Sequence, residues 1–387
     1  MRFEKDWGRL GLKYKEVNLG ELISFVSKGI PPKYIETKSD NTIVVLNQRT
    51  NRNFQIDYSL SRLNDLSKKK VPTNKILIDY DVLINSTGVG TAGRVAQLVK
   101  VPELTTVDGH MIIVRPDEEK IDPLYLGYAL KAQQVKIEGL QEGSTGQTEL
   151  NRQRLLNDII IQFPESRKLQ QDISRLFFSL DEKIENNKKI NHHLEEMATS
   201  IFENMFPNVS SGKSTIGNYI IPKRGKNLLS KDAIVGKVPV VAGGLQPSTF
   251  HNIANTKSPV LTISASGANA GYVNLWHIPV WSSDSSYIDT SITDNVYFWY
   301  VMLKKRQQEI YDSQTGSAQP HIYPKHIEIM PTIDLSEDKV SRFTKQVTPL
   351  FESIGNNIKE IGELQTLRDT LLPKLLSGEI PVNQATK

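Results

Sequence analysis

Residues 184–205, IENNKKINHHLEEMATSIFENM, return in altered form as residues 354–375, IGNNIKEIGELQTLRDTLLPKL. With a shift of 170 positions, five identical residues coincide: Ile184, Asn186, Asn187, Lys189 and Leu194 match Ile354, Asn356, Asn357, Lys359 and Leu364. The same shift places Thr145-Gly146 on Thr315-Gly316. A match of this length indicates an internal duplication.

The repeat extends upstream with a larger shift. Residues 82–88 (VLINSTG) resemble residues 261–267 (LTISASG), and each run leads to a glycine followed by a β-branched residue, in Gly93-Arg94-Val95 and in Gly271-Tyr272-Val273. Leu19-Gly20 resembles Ile216-Gly217. The chain therefore reads as a mixed domain and a long helix, followed by a second copy of both.

Both copies of the helical segment carry the heptad spacing of a coiled coil. The residues predicted to pair the helices are Ile173, Leu180, Ile184, Asn187, Asn191, Leu194, Leu350, Ile354, Asn357, Ile361 and Leu364. A helix of about 40 residues would span about 60 Å, which suits a spacer better than a compact domain. Pro349 predicts a kink or a late beginning of the second helix, and Gly378 its end. The alternative is two ordinary amphipathic helices, each packed on its own core.

A duplicated chain folds most simply about a pseudo-twofold axis, which makes the helices antiparallel. If the two seams share a midpoint, Asn191 lies opposite Asn357, and Asn187 lies near Ile361. Such a polar pair costs stability but sets the register. The alternative is that both asparagines face water at the edge of the seam.

The predicted fold class is α+β (mixed α/β), with two mixed domains and two long helices that pair as an antiparallel coiled coil. The predicted segments are 1–165, 166–206, 207–335 and 336–387. Strands are predicted at 41–46, 75–84, 107–114, 238–241, 259–263 and 286–292, and short helices at 123–132 and 296–306.

Composition excludes several classes of protein. The absence of cysteine excludes disulfides, zinc–thiolate sites and cysteine nucleophiles. No run is apolar enough for a signal peptide or a membrane helix, so a cytoplasmic protein without membrane contact is expected. The net charge of +4 means that any nucleic-acid site must come from local basic clusters, such as Lys68-Lys69-Lys70.

Three motifs imitate catalytic or cofactor sites. Residues 88–93 (GVGTAG) fit a dinucleotide-binding pattern, but the following residues suit a strand and not the required helix. Residues 212–215 (GKST) lack the first glycine of a phosphate-binding loop, and residues 30–33 (IPPK) lack the acceptor and the aromatic residue of an amino-methyltransferase motif. The seven histidines are scattered. The sequence therefore predicts no catalytic residue, no cofactor and no metal.

The chain resembles the DNA-specificity subunits of type I restriction–modification systems. Residues 81–95, residues 143–147 (GSTGQ) with 159–164 (IIIQFP), residues 180–184 (LDEKI) and residues 367–380 (LRDTLLPKLLSGEI) carry the resemblance, in the family's order. It implies two target-recognition domains, each binding half of a bipartite, asymmetric site in double-stranded DNA. The helices would act as the spacer and dock two adenine methyltransferase subunits, which use S-adenosylmethionine. Restriction motor–nuclease subunits would complete the complex, and this chain would not be an enzyme.

Candidate DNA-binding residues are polar and basic side chains on loops, with two Ser/Gly loops whose backbone could approach phosphates. They are Gln48, Arg49, Arg52, Asn53, Ser86, Thr87, Gly88, Arg94, Lys223, Arg224, Lys226, Ser264 and Ser266. For each residue alone, a hairpin turn or a solvated surface is an equal alternative. The alternative for the whole chain is a duplicated coiled-coil scaffold whose mixed domains bind protein or glycan.

Overall fold

The two predicted long helices are present in the computed structural model, which describes residues 5–7, 12–143, 148–316 and 319–382. They span Arg167–Met205 and Glu337–Leu376. The second helix begins before Pro349 and continues through it, so the expected late beginning is wrong. Burial of Phe343 and Val347 on the preceding turns explains the difference, because it outweighs the hydrogen bond that proline cannot donate.

The end of the second helix is confirmed at Gly378. This glycine has a φ of 73°, and the Glu379 N–H donates to the Lys374 carbonyl oxygen at 2.9 Å. Such a six-to-one hydrogen bond closes a helix when the residue before the donor adopts the left-handed conformation.

The chain divides into two units, residues 1–183 with 364–387, and residues 184–363. The predicted segments separate the helices from the mixed domains, whereas in the structure each mixed domain packs with part of each helix. The match between Thr145-Gly146 and Thr315-Gly316 falls partly outside the described residues, as does the loop motif at 143–147. No described helix is long and apolar enough to cross a membrane.

Within the described residues, the first unit contains fifteen strands, three short helices and a part of each long helix. The strands are β1 (Lys5–Trp7), β2 (Leu12–Asn18), β3 (Ile23–Lys28), β4 (Tyr34–Ile35), β5 (Thr42–Leu46), β6 (Asn51–Arg52), β7 (Gln55–Ile56), β8 (Arg62–Asp65), β9 (Val82–Asn85), β10 (Val95–Gln97), β11 (Thr105–Val107), β12 (Met111–Pro116), β13 (Gln141–Glu142), β14 (Glu149–Leu150) and β15 (Ile160–Pro164). The helices are α1 (Pro123–Ala132), α2 (Gln134–Glu138), α3 (Arg152–Asp158), the first part of the long helix α4 (Arg167–Met205) and the last part of the second long helix, α8 (Glu337–Leu376).

One antiparallel sheet, in the order β10-β9-β12-β3, forms the centre of the first unit. A second sheet, β11-β5-β8-β4, contains one parallel pair, β11 with β5. The core joins the first sheet to α1 and to the long helices, where Tyr125, Phe177 and Leu375 are fully buried. Strand and helix segments are mixed along the chain, so the predicted α+β class is confirmed.

The second unit repeats this arrangement in shorter form. Its strands are β16 (Ser214–Thr215), β17 (Lys223–Arg224), β18 (Val238–Val241), β19 (Thr249–His251), β20 (Val260–Ser264), β21 (Val273–Trp276), β22 (Trp281–Ser282), β23 (Ser285–Asp289) and β24 (Pro331–Thr332). Its helices are the second part of α4, then α5 (Val296–Lys305), α6 (Gln307–Asp312), α7 (Pro324–Glu328) and the first part of α8. The central sheet has the order β17-β23-β20-β21, and β18 pairs in parallel with β22.

Three of the predicted strands extend clearly beyond the observed ones. The strand predicted at 286–292 ends at Asp289. Residues 75–84 form a strand only from Val82, because Thr73–Lys75 is a 3-10 turn and Tyr80 has a φ of 67°. Residues 107–114 divide between two sheets, because the Asp108 carboxylate accepts a hydrogen bond from the His110 N–H at 2.9 Å and closes a turn.

The long helices are antiparallel, and their register is the predicted one. In the second unit Asn357 Nδ2 donates to Asn191 Oδ1 at 2.8 Å. Asn187 is buried, and its Nδ2 donates to Glu360 Oε2 at 2.6 Å, next to Ile361. The half-buried amides of Asn191 and Asn357 are thus hydrogen-bonded to each other across the helix pair, which contradicts the alternative that both face water.

Replacing one asparagine of this pair should cost stability, whereas replacing both should not. Asn357→Leu leaves the half-buried Asn191 amide without its partner and should lower the free energy of unfolding by about 1 kcal/mol. The double variant Asn191→Leu/Asn357→Leu should equal or exceed the wild type, because two apolar residues then meet in the seam. Urea denaturation of the wild type, the two single variants Asn191→Leu and Asn357→Leu, and the double variant measures the coupling energy between the two residues. Additive losses would contradict the pairing.

Candidate functional site

Four loops meet at one end of the central sheet of the first unit. Strands β3 and β9 end there and β10 and β12 begin there, because neighbouring strands of this sheet are antiparallel. Lys28, Thr87, Arg94 and His110 stand at or directly beside these strand ends. The loop after β5 adds Gln48. We call Gln48, Thr87, Gly88, Arg94 and His110 the first loop cluster.

Hydrogen bonds hold the first loop cluster together. Thr87 Oγ1 lies 3.3 Å from Gln48 Oε1 and 2.9 Å from His110 Nδ1. Arg94 Nη2 donates to the Gly90 carbonyl oxygen at 3.0 Å. The Gln48 carbonyl oxygen accepts from Asn85 Nδ2 at 3.1 Å, so the loop after β5 is fixed to the end of β9.

Two candidate serines lie behind these loops. Ser86 and Ser264 are buried, and within the described residues neither hydroxyl oxygen has a hydrogen-bond partner. Their side chains therefore do not face solvent, and any contact of these two residues with DNA would come from their backbone, which remains a prediction. Both strands are buried along their whole length, and the first partly exposed side chains after them are those of Thr87 and Ser266.

The remaining candidates of the first unit lie on two loops. Arg49 is exposed beside Gln48, and Arg52 is exposed in the β6–β7 hairpin. Asn53 and Phe54 form its two-residue turn with φ values of 53° and 67°, the requirement of a type I′ turn. The Phe54 ring packs 5.2 Å from that of Tyr128. Asn53 thus has a structural role, and its part in binding remains a prediction.

The second unit places its candidates at the corresponding end of its central sheet. Arg224 ends β17, Ser266 follows β20 and Asp284 precedes β23. Arg224 Nη2 donates to Asp284 Oδ1 at 2.5 Å, and Ser266 Oγ donates to the other carboxylate oxygen. Lys223 and Lys226 are exposed beside Arg224. We call Arg224, Lys226, Ser266 and Asp284 the second loop cluster.

Asp284 stays ionised although it is largely covered. Burial acts to raise the pKa of its carboxyl group, but the hydrogen bonds from Ser266 and Arg224 outweigh burial, and the pKa lies below its ordinary value. The second loop cluster therefore presents a fixed negative charge between a hydroxyl group and a guanidinium group.

The two clusters occupy equivalent positions but differ in chemistry. Thr87 in the first corresponds to Ser266 in the second, and His110 corresponds to Asp284, since each precedes the strand that pairs with the end of β9 or β20. Gly243 follows β18 as Gln48 follows β5, and a Cβ there would lie 2.4 Å from the Ser266 carbonyl oxygen. Sequence analysis missed His110 and Asp284, although both stand directly before a strand of the repeat.

A group of basic residues lies beside the first loop cluster. It consists of Lys28, Lys69, Lys75 and Arg152, from four separate segments. Burial lowers the pKa of Lys28 and of Lys75, and the charge of Arg152 lowers both further. Lys69 also acts on Lys75. Lys28 is paired with Glu149, which bridges to Thr87. Four cations and one carboxylate leave a net positive charge, which favours binding of an anion.

The structure agrees with the rejection of two cofactor motifs. After residues 88–93 the chain forms β10 and not the helix that a dinucleotide site requires. After residues 212–215 it forms one 3-10 turn, Ile216–Asn218, and no α-helix. Among the described residues no three His, Asp or Glu side chains are grouped as around a metal ion.

Comparison with known proteins gives matches to type I restriction–modification specificity subunits. Residues 12–196 match the family model of the type I restriction modification DNA specificity domain. The type I restriction enzyme MjaIX specificity subunit of Methanocaldococcus jannaschii is 26% identical over 373 residues, which cover 86% of this chain and 85% of that protein. A protein of Mycoplasma genitalium that is named a putative type I specificity subunit is 26% identical over 277 residues, which cover 67% of this chain and 72% of the relative.

A solved structure has a similar fold. The crystal structure of the type I restriction–modification system S subunit from M. genitalium superimposes with a TM-score of 0.62 at 20% sequence identity. The match covers 95% of this chain and 97% of that one. At this identity the likeness concerns the fold.

Gly88 should tolerate alanine less well than Gly90, two positions away. Gly88 has a φ of 110°, and a Cβ would lie 2.3 Å from Thr91 Oγ1 and 2.7 Å from Gln48 Oε1. Gly90 has a φ of 68° and open space around its Cβ position. We expect Gly88→Ala to lower the free energy of unfolding by about 2–3 kcal/mol and Gly90→Ala by about 1 kcal/mol. Equal losses in denaturant titrations would show that the loop is not held as described.

Proposed function

The chain belongs to the specificity subunits of type I restriction–modification systems, and from this premise we propose that its two loop clusters each read one half of a bipartite DNA site. The paired helices would serve as the spacer between the half-sites. The subunit itself is not catalytic.

The observation that carries this proposal is one backbone arrangement with two sets of side chains. The first loop cluster offers an amide, a hydroxyl, an imidazole and a guanidinium group. The second offers a guanidinium group, an ammonium group, a hydroxyl and a carboxylate. Bases are distinguished by donors and acceptors in the major groove, so different side chains on one frame suit two different half-sites. An asymmetric target follows.

The basic residues beside the first loop cluster suit the phosphate backbone. Phosphate contacts set the position and orientation of a protein on DNA but carry no sequence information. Lys28, Lys69, Lys75 and Arg152 are therefore proposed to position the first unit, while the loop cluster contacts bases. Because the phosphate contacts come from one local group of basic residues, DNA binding does not require a net charge larger than +4.

The family binds DNA and assembles with methyltransferase and restriction subunits. We propose two adenine methyltransferase subunits per specificity subunit, because the duplication offers two equivalent docking surfaces. These subunits would supply S-adenosylmethionine binding and methyl transfer. The proposed setting is the cytoplasm, where the DNA and the partner subunits are found.

Exchanging one mixed domain should change one half of the DNA target. Residues 214–335 replaced by the corresponding region of a relative, within the intact chain, should alter one half-site and leave the other half-site and the spacer unchanged. Sequencing of methylated adenines in cells that express the hybrid with its methyltransferase measures this. A hybrid that alters both half-sites, or neither, would contradict the modular function.

Removing a basic residue should weaken DNA binding without changing sequence preference. Arg152→Ala should reduce the slope of log K against log salt concentration by about 1, because one phosphate contact and its counterion release are lost. The control is Lys168→Ala, an exposed lysine paired with Asp172 on α4. Binding of the methyltransferase complex at several salt concentrations gives both slopes. An unchanged slope for Arg152→Ala would remove the basic group from the interface.

A further inference from the structure

The arginine of the second loop cluster is held differently from the lysines beside it. Arg224 stands at the end of β17, and its side chain is 42% exposed. In the part of the chain that the structure describes, Asp284 is its ion-pair partner. Lys223 and Lys226 are exposed, and no described carboxylate pairs with them.

The support for Arg224 is itself fixed. Asp284 accepts from Arg224 on one carboxylate oxygen and from Ser266 on the other, so the carboxylate cannot turn away freely. The recorded hydrogen bond uses one N–H of Nη2, while a guanidinium group carries five N–H donors in a planar fork. Arg224 thus keeps donors for a ligand on a side chain whose orientation is already set.

The carboxylate decides what kind of ligand fits. A phosphate bound by Arg224 would lie close to the negative charge of Asp284, and the repulsion would oppose binding. A base edge carries no formal charge and tolerates a nearby carboxylate. Guanine presents two acceptors, O6 and N7, side by side in the major groove, which match two parallel N–H donors of arginine. Its paired cytosine presents an N4 amino donor, which a carboxylate can accept.

We propose that Arg224, positioned by Asp284, reads a guanine in the half-site of the second unit. This inference rests on the proposed DNA-binding function and adds the identity of one base and the residue that selects it. Asp284 is a positioning residue in this account, and Ser266 fixes Asp284. Lys226 contacts the backbone instead, because no fixed carboxylate accompanies it.

The test uses the complete methyltransferase complex and a DNA library randomised over the half-site of the second unit. The wild-type complex should select guanine at one position. Arg224→Ala should lower the preference for guanine there by about 10–100-fold, the usual contribution of a bidentate contact. Arg224→Lys should also lose it, because an ammonium group lacks the planar fork. Preferences at the other positions and in the other half-site should stay unchanged.

Two further variants, Asp284→Asn and Lys226→Ala, distinguish the positioning of Arg224 from a general electrostatic attraction to DNA. Asp284→Asn keeps the shape but removes the fixed charge, so the guanine preference should weaken less than in Arg224→Ala. Lys226→Ala is the matched control and should lower affinity for all sequences alike. Thermal melting checks that each variant folds. If Arg224→Ala misfolds, Arg224→Lys and Asp284→Asn decide the result.

Three outcomes are distinguishable. A uniform loss of affinity in Arg224→Ala, with every base preference retained, would make Arg224 a phosphate contact and overturn the proposal. A changed preference for a base other than guanine would also overturn it. A wild-type complex that selects no sequence would instead reject the proposed function of the chain.

Discussion

Each loop cluster depends on a pair of backbone hydrogen bonds that closes the turn after the central strand. In the first unit the Asn85 N–H donates to the Arg94 carbonyl oxygen at 3.0 Å, and the Gly93 N–H donates to the Asn85 carbonyl oxygen at 2.8 Å. In the second, Ser264 pairs in the same way with Tyr272 and with Gly271, at 3.0 and 2.7 Å. Gly93 and Gly271 share a φ of 88°. Because main-chain atoms hold the frame, side chains on it can change without loss of the fold.

Because the side chains on this main-chain frame can differ, the two loop clusters carry different charges. The first loop cluster has basic residues beside it that repel one another, so an anion stabilises the group. The second contains an arginine whose charge is balanced by a fixed carboxylate. Under the proposed function, the first arrangement would contact phosphates and the second an uncharged base edge.

In the helix pair, polar side chains set the register of the two helices. Leucine or isoleucine would stabilise the seam more, but apolar residues allow several registers of similar energy. The hydrogen bond between Asn191 and Asn357 forms in one register, and a slipped pairing would leave both amides unsatisfied. The register therefore comes from the penalty on wrong alignments, and for a spacer the register sets the length.

Repetition and periodicity made much of this protein predictable. The duplication, both long helices, their antiparallel register, α1 and α5 all follow from spacing and composition, because these are local or self-matching signals. Only the tertiary structure decided which side chains share a site. His110, Asp284 and Arg152 are distant in sequence from the residues they act on. The burial of Ser86 and Ser264 depends on central strands that are covered on both faces, in sheets whose strand order is not evident from the sequence. Long-range antiparallel pairing brings strand ends together, and no local pattern records which ends will meet.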